Sequence, residues 1–154
     1  MFDGAYNNAS GFTKSVSGFE DLSQNSTLCT SGGNSGVHCN LKVDELIILW
    51  DDGFGPEFFV ISAVGASGLP TVTTKHGDSG GPVLVPRPDG TVGAAGMIQA
   101  GQGFALNCNG WTGTDTDCYP RVYFSSMRTI LLDLRRLSGW SGAGLLTLNG
   151  VVYP

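Results

Sequence analysis

The chain has 154 residues, long enough for one domain with its own core. Glycine is abundant at 24 residues and charged residues make up only 14%, which suits a turn-rich β protein and argues against a helical bundle or a disordered segment. A net charge of −5 provides no basic stripe for nucleic acid, and no apolar run approaches the roughly 18 residues of a membrane span.

In chain order, short apolar runs predict strands over Thr13–Phe19, Val37–Val43, Leu46–Trp50, Phe58–Val64, Gly80–Val85, Val92–Gln99 and Arg121–Phe124. Turn clusters separate them: "DDGFGP" at 51–56, "PRPDG" at 86–90 and the Gly/Asn/Thr/Asp-rich 101–118. Spacings of about 8 to 15 residues fit an antiparallel barrel or sandwich better than βαβ units. One helix is predicted over "SSMRTILLDLRRLSG", 125–139, where Met127, Ile130, Leu131, Leu134 and Leu137 recur on one face. Ser125 or Ser126 can cap its start, Arg135 and Arg136 suit its negative end, and Gly139 can stop it. The tail "LLTLNGVVY" reads as a small hairpin around Asn149-Gly150. With no internal repeat, low-complexity tract or linker, residues 1–154 are expected to form a single domain.

The four cysteines fall into two local pairs, Cys29/Cys39 and Cys108/Cys118. Neither pair has CxxC spacing, and His38 is the only histidine beside them, so two short-loop disulfides fit better than zinc. Each disulfide is expected to contribute roughly 3 kcal/mol and implies an oxidising, secreted setting. Yet "MFDGAYNN" has neither the basic nor the apolar region of a signal peptide, so the sequence is expected to be a truncated piece of a secreted protein.

"HGDSGGPVLV", 76–85, carries the chemistry. A nucleophilic serine needs a base, an oxyanion hole and room for the substrate backbone. Glycines 77, 80 and 81 open backbone conformations closed to other residues, letting the N–H groups of Gly77 and Ser79 converge where a tetrahedral oxyanion sits. Asp78, buried beside them, is expected to hold the loop in shape through an ion pair. A plain Gly/Asp/Ser turn is the bland alternative, but seven matching residues in a row favour a nucleophile loop.

"GDSGGPV" resembles the nucleophile motif of the chymotrypsin-like serine peptidases. Other stretches follow in that family's order. "LCTSGGNSGVHC", 28–39, resembles the disulfide-closed segment of the bacterial streptogrisin-type branch, and "AAGMIQAGQG", 94–103, its substrate-binding strand. "RVYFSSMRTILLDL", 121–134, resembles the last barrel strand running into the C-terminal helix.

The resemblance implies an all-β, six-stranded antiparallel Greek-key barrel over about residues 12–124, the second barrel of the trypsin-like fold, with helix 125–138 outside it. Ser79 would be the catalytic nucleophile on an exposed loop, Gly77 and Ser79 the oxyanion donors, and Asp78 the loop-shaping residue. Thr73 and Thr74 would form the pocket base, with Gln99, Ala100 and Gly101 binding substrate backbone. The partner would be a peptide or protein substrate, preferred with an uncharged side chain because neither pocket threonine is acidic; no cofactor or metal is implied.

The departures matter equally. The family's catalytic histidine and aspartate belong to an N-terminal barrel, and no "TAAHC"-like segment occurs here. His38 is expected to be an exposed loop histidine, and His76 lies too close to Ser79 on one loop to take its proton. The base and its orienting acid are therefore expected upstream, in a missing barrel. Thr30 follows Cys29 where the family often has an arginine for the loop aspartate, and "TVTTKHGD" has no cysteine before the serine. Gln99-Ala100-Gly101 replaces the usual Ser-Gly-Gly or Ser-Trp-Gly. Two other readings stand beside a peptidase half. One is an inactive peptide-binding barrel of the same fold; the other is a carbohydrate-binding sandwich using Trp50, Trp111 and Trp140.

Overall fold

A computed structural model describes residues 2–3, 12–51, 53, 58–104, 117–138, 144–147 and 150–152. Strands β1 (Phe2–Asp3) and β2 (Phe12–Thr13) form a small antiparallel ribbon. After β3 (Val16–Phe19) come three longer strands, β4 (Thr27–Gly32), β5 (Gly36–Trp50) and β6 (Phe58–Gly65). Then follow β7 (Thr74–Lys75), β8 (Pro82–Pro86), β9 (Val92–Gln102), β10 (Cys118–Tyr119) and β11 (Arg121–Ser126). Helix α1 (Met127–Ser138) and the hairpin β12 (Leu145–Thr147) with β13 (Gly150–Val152) end the chain. Asn149 of the expected turn and Gly139 of the expected helix stop lie outside the described residues.

Six strands close an antiparallel barrel in the order β4-β5-β6-β11-β9-β8, with β8 pairing back to β4. The chain makes three adjacent staves, crosses to the far side of β4 for β8 and β9, and fills the last gap with β11. That is a Greek-key path. The interior follows from two-residue alternation: Leu41 and Val43 of β5, and Val122 and Phe124 of β11, point inward with no exposure. Leu28, Ala63, Val83, Ala95 and Ile98 complete the cluster.

Several elements differ from the sequence reading. Val37–Val43 and Leu46–Trp50 are one 15-residue strand, because register shifts flanking Glu45 absorb the polar Asp44-Glu45 pair. β4 was not expected, since "TLCTSG" carries one large apolar residue; five of its six residues are nevertheless buried. Thr13–Phe19 breaks at Lys14-Ser15, and β3 is no barrel stave. It lies parallel to β9, with Val16 opposite Val92 and Phe19 opposite Ala94. Charge holds it there: Arg87 bonds both Glu20 and Ser17, and Arg128 pairs with Asp21 at 2.6 Å over the Phe19 ring.

Of the two possible caps, Ser126 takes the role, accepting the Thr129 N–H at 3.0 Å. The helix docks by its first half. Leu131 is buried, whereas Leu134 is 41% and Leu137 83% exposed, so the far end of its apolar stripe faces outward. Among the described residues, no helix is long and apolar enough to cross a membrane. The expected Cys29–Cys39 disulfide ties β4 to β5, with Cα atoms 4.1 Å apart. Cys118 is also disulfide-bonded, while Cys108 lies outside the described residues.

Candidate active site

Antiparallel alternation gathers the ends of β4, β6 and β9 and the starts of β5, β8 and β11 at one end of the barrel. The segment between β6 and β8 crosses that end and carries the serine. It is pinned before it reaches Ser79. Thr73 donates its N–H and its hydroxyl to the Tyr119 carbonyl at 2.8 and 2.9 Å, β7 pairs with β10, and the His76 N–H reaches the Asp117 carbonyl. Past Ser79, the Gly80 N–H donates to the Ile98 carbonyl at 2.9 Å, and the Ile98 N–H returns to the Gly81 carbonyl at 2.8 Å.

Between these anchors the chain turns through Gly77 and Gly80, at φ of 87° and 84°. Both angles lie in the left-handed region that favours glycine. Asp78, 1% exposed, sits beneath the turn. Its carboxylate accepts the N–H groups of Asn34 (2.8 Å), Ser35 (3.1 Å) and Lys75 (2.7 Å), and the hydroxyls of Ser35 (2.5 Å) and Thr74 (3.3 Å). Among the described residues, five neutral donors surround the carboxylate where the sequence implies an ion pair, three of them from the β4–β5 turn. Asn34 also donates its side-chain amide to the His76 carbonyl at 3.0 Å. Gly32 leaves room for this arrangement, since a side chain there would overlap the Asp78 carboxyl.

Ser79 is exposed and donates its hydroxyl to the Gln99 carbonyl at 3.1 Å. A backbone carbonyl cannot take that proton. Among the described residues, no hydrogen bond engages the N–H of Gly77 or Ser79. An open cleft of about 380 Å³ lies beside them, lined by Ser31, Gly32 and Gly33 on one wall and Gly77, Asp78 and Ser79 on the other.

The remaining expected site residues lie on either side of Ser79. Gln99 also donates its amide to the Ser125 hydroxyl at 3.0 Å. Ala100 and Gly101 pair with Tyr123 and Val122 of β11, while β8 stops pairing at Met97. Beyond Ile98, whose N–H and carbonyl are taken by Gly81 and Gly80, that edge of β9 pairs with no strand among the described residues. Thr73 and Thr74 are 0% and 1% exposed, their hydroxyls turned to Tyr119 and Asp78.

One expectation needs correction. His38 is not an exposed loop histidine: it faces Thr30 across the β4–β5 ladder, and its Nε2 is sealed from solvent without a hydrogen-bond partner. Burial pushes its pKa below the ordinary value, against the opposing pull of the Asp78 charge and a hydrogen bond with the Ser35 backbone. His76 is exposed on the serine loop itself.

Asn34 and Ser35 do not stand out in the sequence, and Thr30 does so only for the arginine it replaces. Thr30, at the position where the resemblance implies an arginine, donates to the Thr73 carbonyl at 2.5 Å. The polar "SGGNSG" turn was the available signal. Trp50 packs against Tyr123 with ring centroids 4.5 Å apart, a contact within the protein; Trp111 and Trp140 lie outside the described residues. Among the described residues, no cluster of His, Cys, Asp or Glu is arranged to hold a metal. No protein-family model matches the chain, and no curated protein does.

Proposed function

We propose that this chain is the nucleophile-bearing barrel of a serine endopeptidase of the chymotrypsin-like kind. Ser79 attacks the scissile carbonyl, and the N–H groups of Gly77 and Ser79 receive the oxyanion. The observation that carries this reading is the exposed Ser79 hydroxyl on a glycine-turned loop whose two flanking N–H groups are unengaged beside a cleft. The open β9 edge at 99–101 suits an extended peptide added as a further strand. With Asp78 engaged by five donors and threonines at 73 and 74, uncharged side chains are the favoured ones for cleavage. The Cys29–Cys39 disulfide supports a place outside the reducing cytosol.

The general base comes from a second barrel docked on this one. Neither described histidine is placed to serve: His76 shares the serine's loop, and His38 sits opposite Thr30 on the β4–β5 ladder with its Nε2 enclosed. The exposed Leu134 and Leu137 stripe offers apolar surface for such a neighbour. A fluorophosphonate probe, which labels only an activated serine, tests the assignment. Residues 1–154 alone should not label, whereas the two-barrel protein should label at Ser79 and lose labelling in Ser79→Ala. Labelling of the short chain would show that His38 or His76 acts as base. No labelling of the two-barrel protein would favour the inactive peptide-binding barrel.

A further inference from the structure

The peptide that carries one of the two proposed oxyanion donors can face either way, and a side chain from outside the serine loop holds it. Residues 75–78 form a turn closed by the Asp78 N–H, which donates to the Lys75 carbonyl at 3.1 Å. Gly77, the third residue, has a φ of 87°, and His76, the second, is not among the residues with positive φ. That combination defines a type II turn. Type I and type II turns share their outer residues and their closing hydrogen bond, and differ by rotating the central peptide through roughly half a turn. Here the central peptide joins His76 to Gly77. Its carbonyl and its N–H point in opposite directions, because the peptide is planar and trans.

The Asn34 side-chain amide donates to the His76 carbonyl at 3.0 Å, reaching it from the β4–β5 turn, 42 residues away. The Gly77 N–H is left on the other side of the peptide, with no partner among the described residues and with the cleft beside it. A Cβ at Gly77 would overlap the Asn34 amide nitrogen, so glycine there admits both the positive φ and the Asn34 side chain. The Asn34 backbone N–H is committed separately, to Asp78 at 2.8 Å.

We propose that Asn34 is a positioning residue for the oxyanion hole. Resting on the reading of Ser79 as the nucleophile, its side-chain amide holds the His76–Gly77 peptide in the type II orientation, which keeps the Gly77 N–H free to meet the oxyanion. In the type I orientation the two ends of the peptide exchange places. The His76 carbonyl would then lie where the N–H is now, removing one of two donors and setting a negative dipole against the developing charge. Glycine takes either sign of φ at little cost, so residue 77 does not itself choose. Asp78 does not choose either, since its N–H closes the turn in both forms. The choice falls to the partner of the His76 carbonyl.

Nuclear Overhauser spectra of the intact 154-residue chain test this without catalysis, because a type II turn brings the His76 Hα against the Gly77 N–H and a type I turn moves them apart. The native chain should show a strong cross-peak between these two protons. Asn34→Ala removes the donor, and Asn34→Asp keeps its size but offers no N–H. Both should weaken that cross-peak several-fold while those of Thr74, Lys75 and Gly80 stay unchanged. In the two-barrel protein both variants should slow fluorophosphonate labelling of Ser79 about five- to tenfold, the scale of one neutral hydrogen bond. That is short of the roughly hundredfold or more expected when an oxyanion donor is lost outright. A cross-peak equally strong in both variants, or a labelling rate unchanged when the cross-peak weakens, would overturn the assignment. So would weakening throughout residues 74–80, which would make Asn34 a general prop of the loop. A two-barrel protein that never labels would defeat the nucleophile reading, and the cross-peak would still decide what holds the peptide.

Discussion

At the scale of single residues, Asp78 organises this end of the barrel. Five donors converge on two oxygens, so the carboxylate is held by hydrogen bonds that are individually modest and collectively rigid. Asp78→Asn replaces one acceptor by an NH₂ group facing donors. Urea unfolding should show a loss of about 3 kcal/mol, the range for breaking a buried charge-assisted network. Gly81→Ala should be comparably harmful, because its Cβ would lie 2.7 Å from the Ser31 carbonyl and 2.8 Å from that of Asp78, both backbone atoms. If Asp78→Asn unfolds at the native urea midpoint, the carboxylate is not the organiser described here; if Gly81→Ala does, the turn has room for a Cβ. The serine loop was legible because "GDSGGPV" is contiguous. Its supports were not, since Asn34 and Ser35 lie 44 and 43 residues from Asp78, and local pattern carries no information across that distance.

Among the elements, α1 separates sequence pattern from environment. Its apolar stripe is regular over the whole helix, yet only the first half meets the barrel. Leu131→Ala should cost about 2–4 kcal/mol, as burial of that side chain implies. Leu137→Ser should change stability by less than about 0.5 kcal/mol while raising solubility, because it removes exposed apolar surface. Comparable destabilisation by both would mean that the end of the helix is covered. Periodicity thus identified the helix but not where its partner stops. The strands divide similarly. β6, β8 and β11 are apolar runs, whereas β4 is buried mainly through small residues, Cys29, Thr30, Ser31 and Gly32, that make no apolar run. β5 read as two strands because its bulged Asp44-Glu45 pair turns outward, where Asp44 meets Arg121 at 2.8 Å.

For the whole molecule, the barrel class was readable from strand spacing and turn clusters, but its closure was not. Closure depends on β11 pairing with β6 on one side and β9 on the other. No local property of "RVYFSS" records both partners. The same closure bears on how the protein is made. β11 is the last stave in the chain, and 24 residues separate its end at Ser126 from the end of β9 at Gln102. A ribosome takes on the order of 1–5 s to add that many residues. Throughout that interval β6 and β9 would wait with open edges, and open edges recruit other strands. A chain ended after Pro120 is therefore expected to form large aggregates on dilution from urea, whereas one continued through Ser138 refolds as a monomer by light scattering. The order in which the staves emerge makes the final strand a timing element: the serine's end of the barrel cannot set until β11 has left the ribosome.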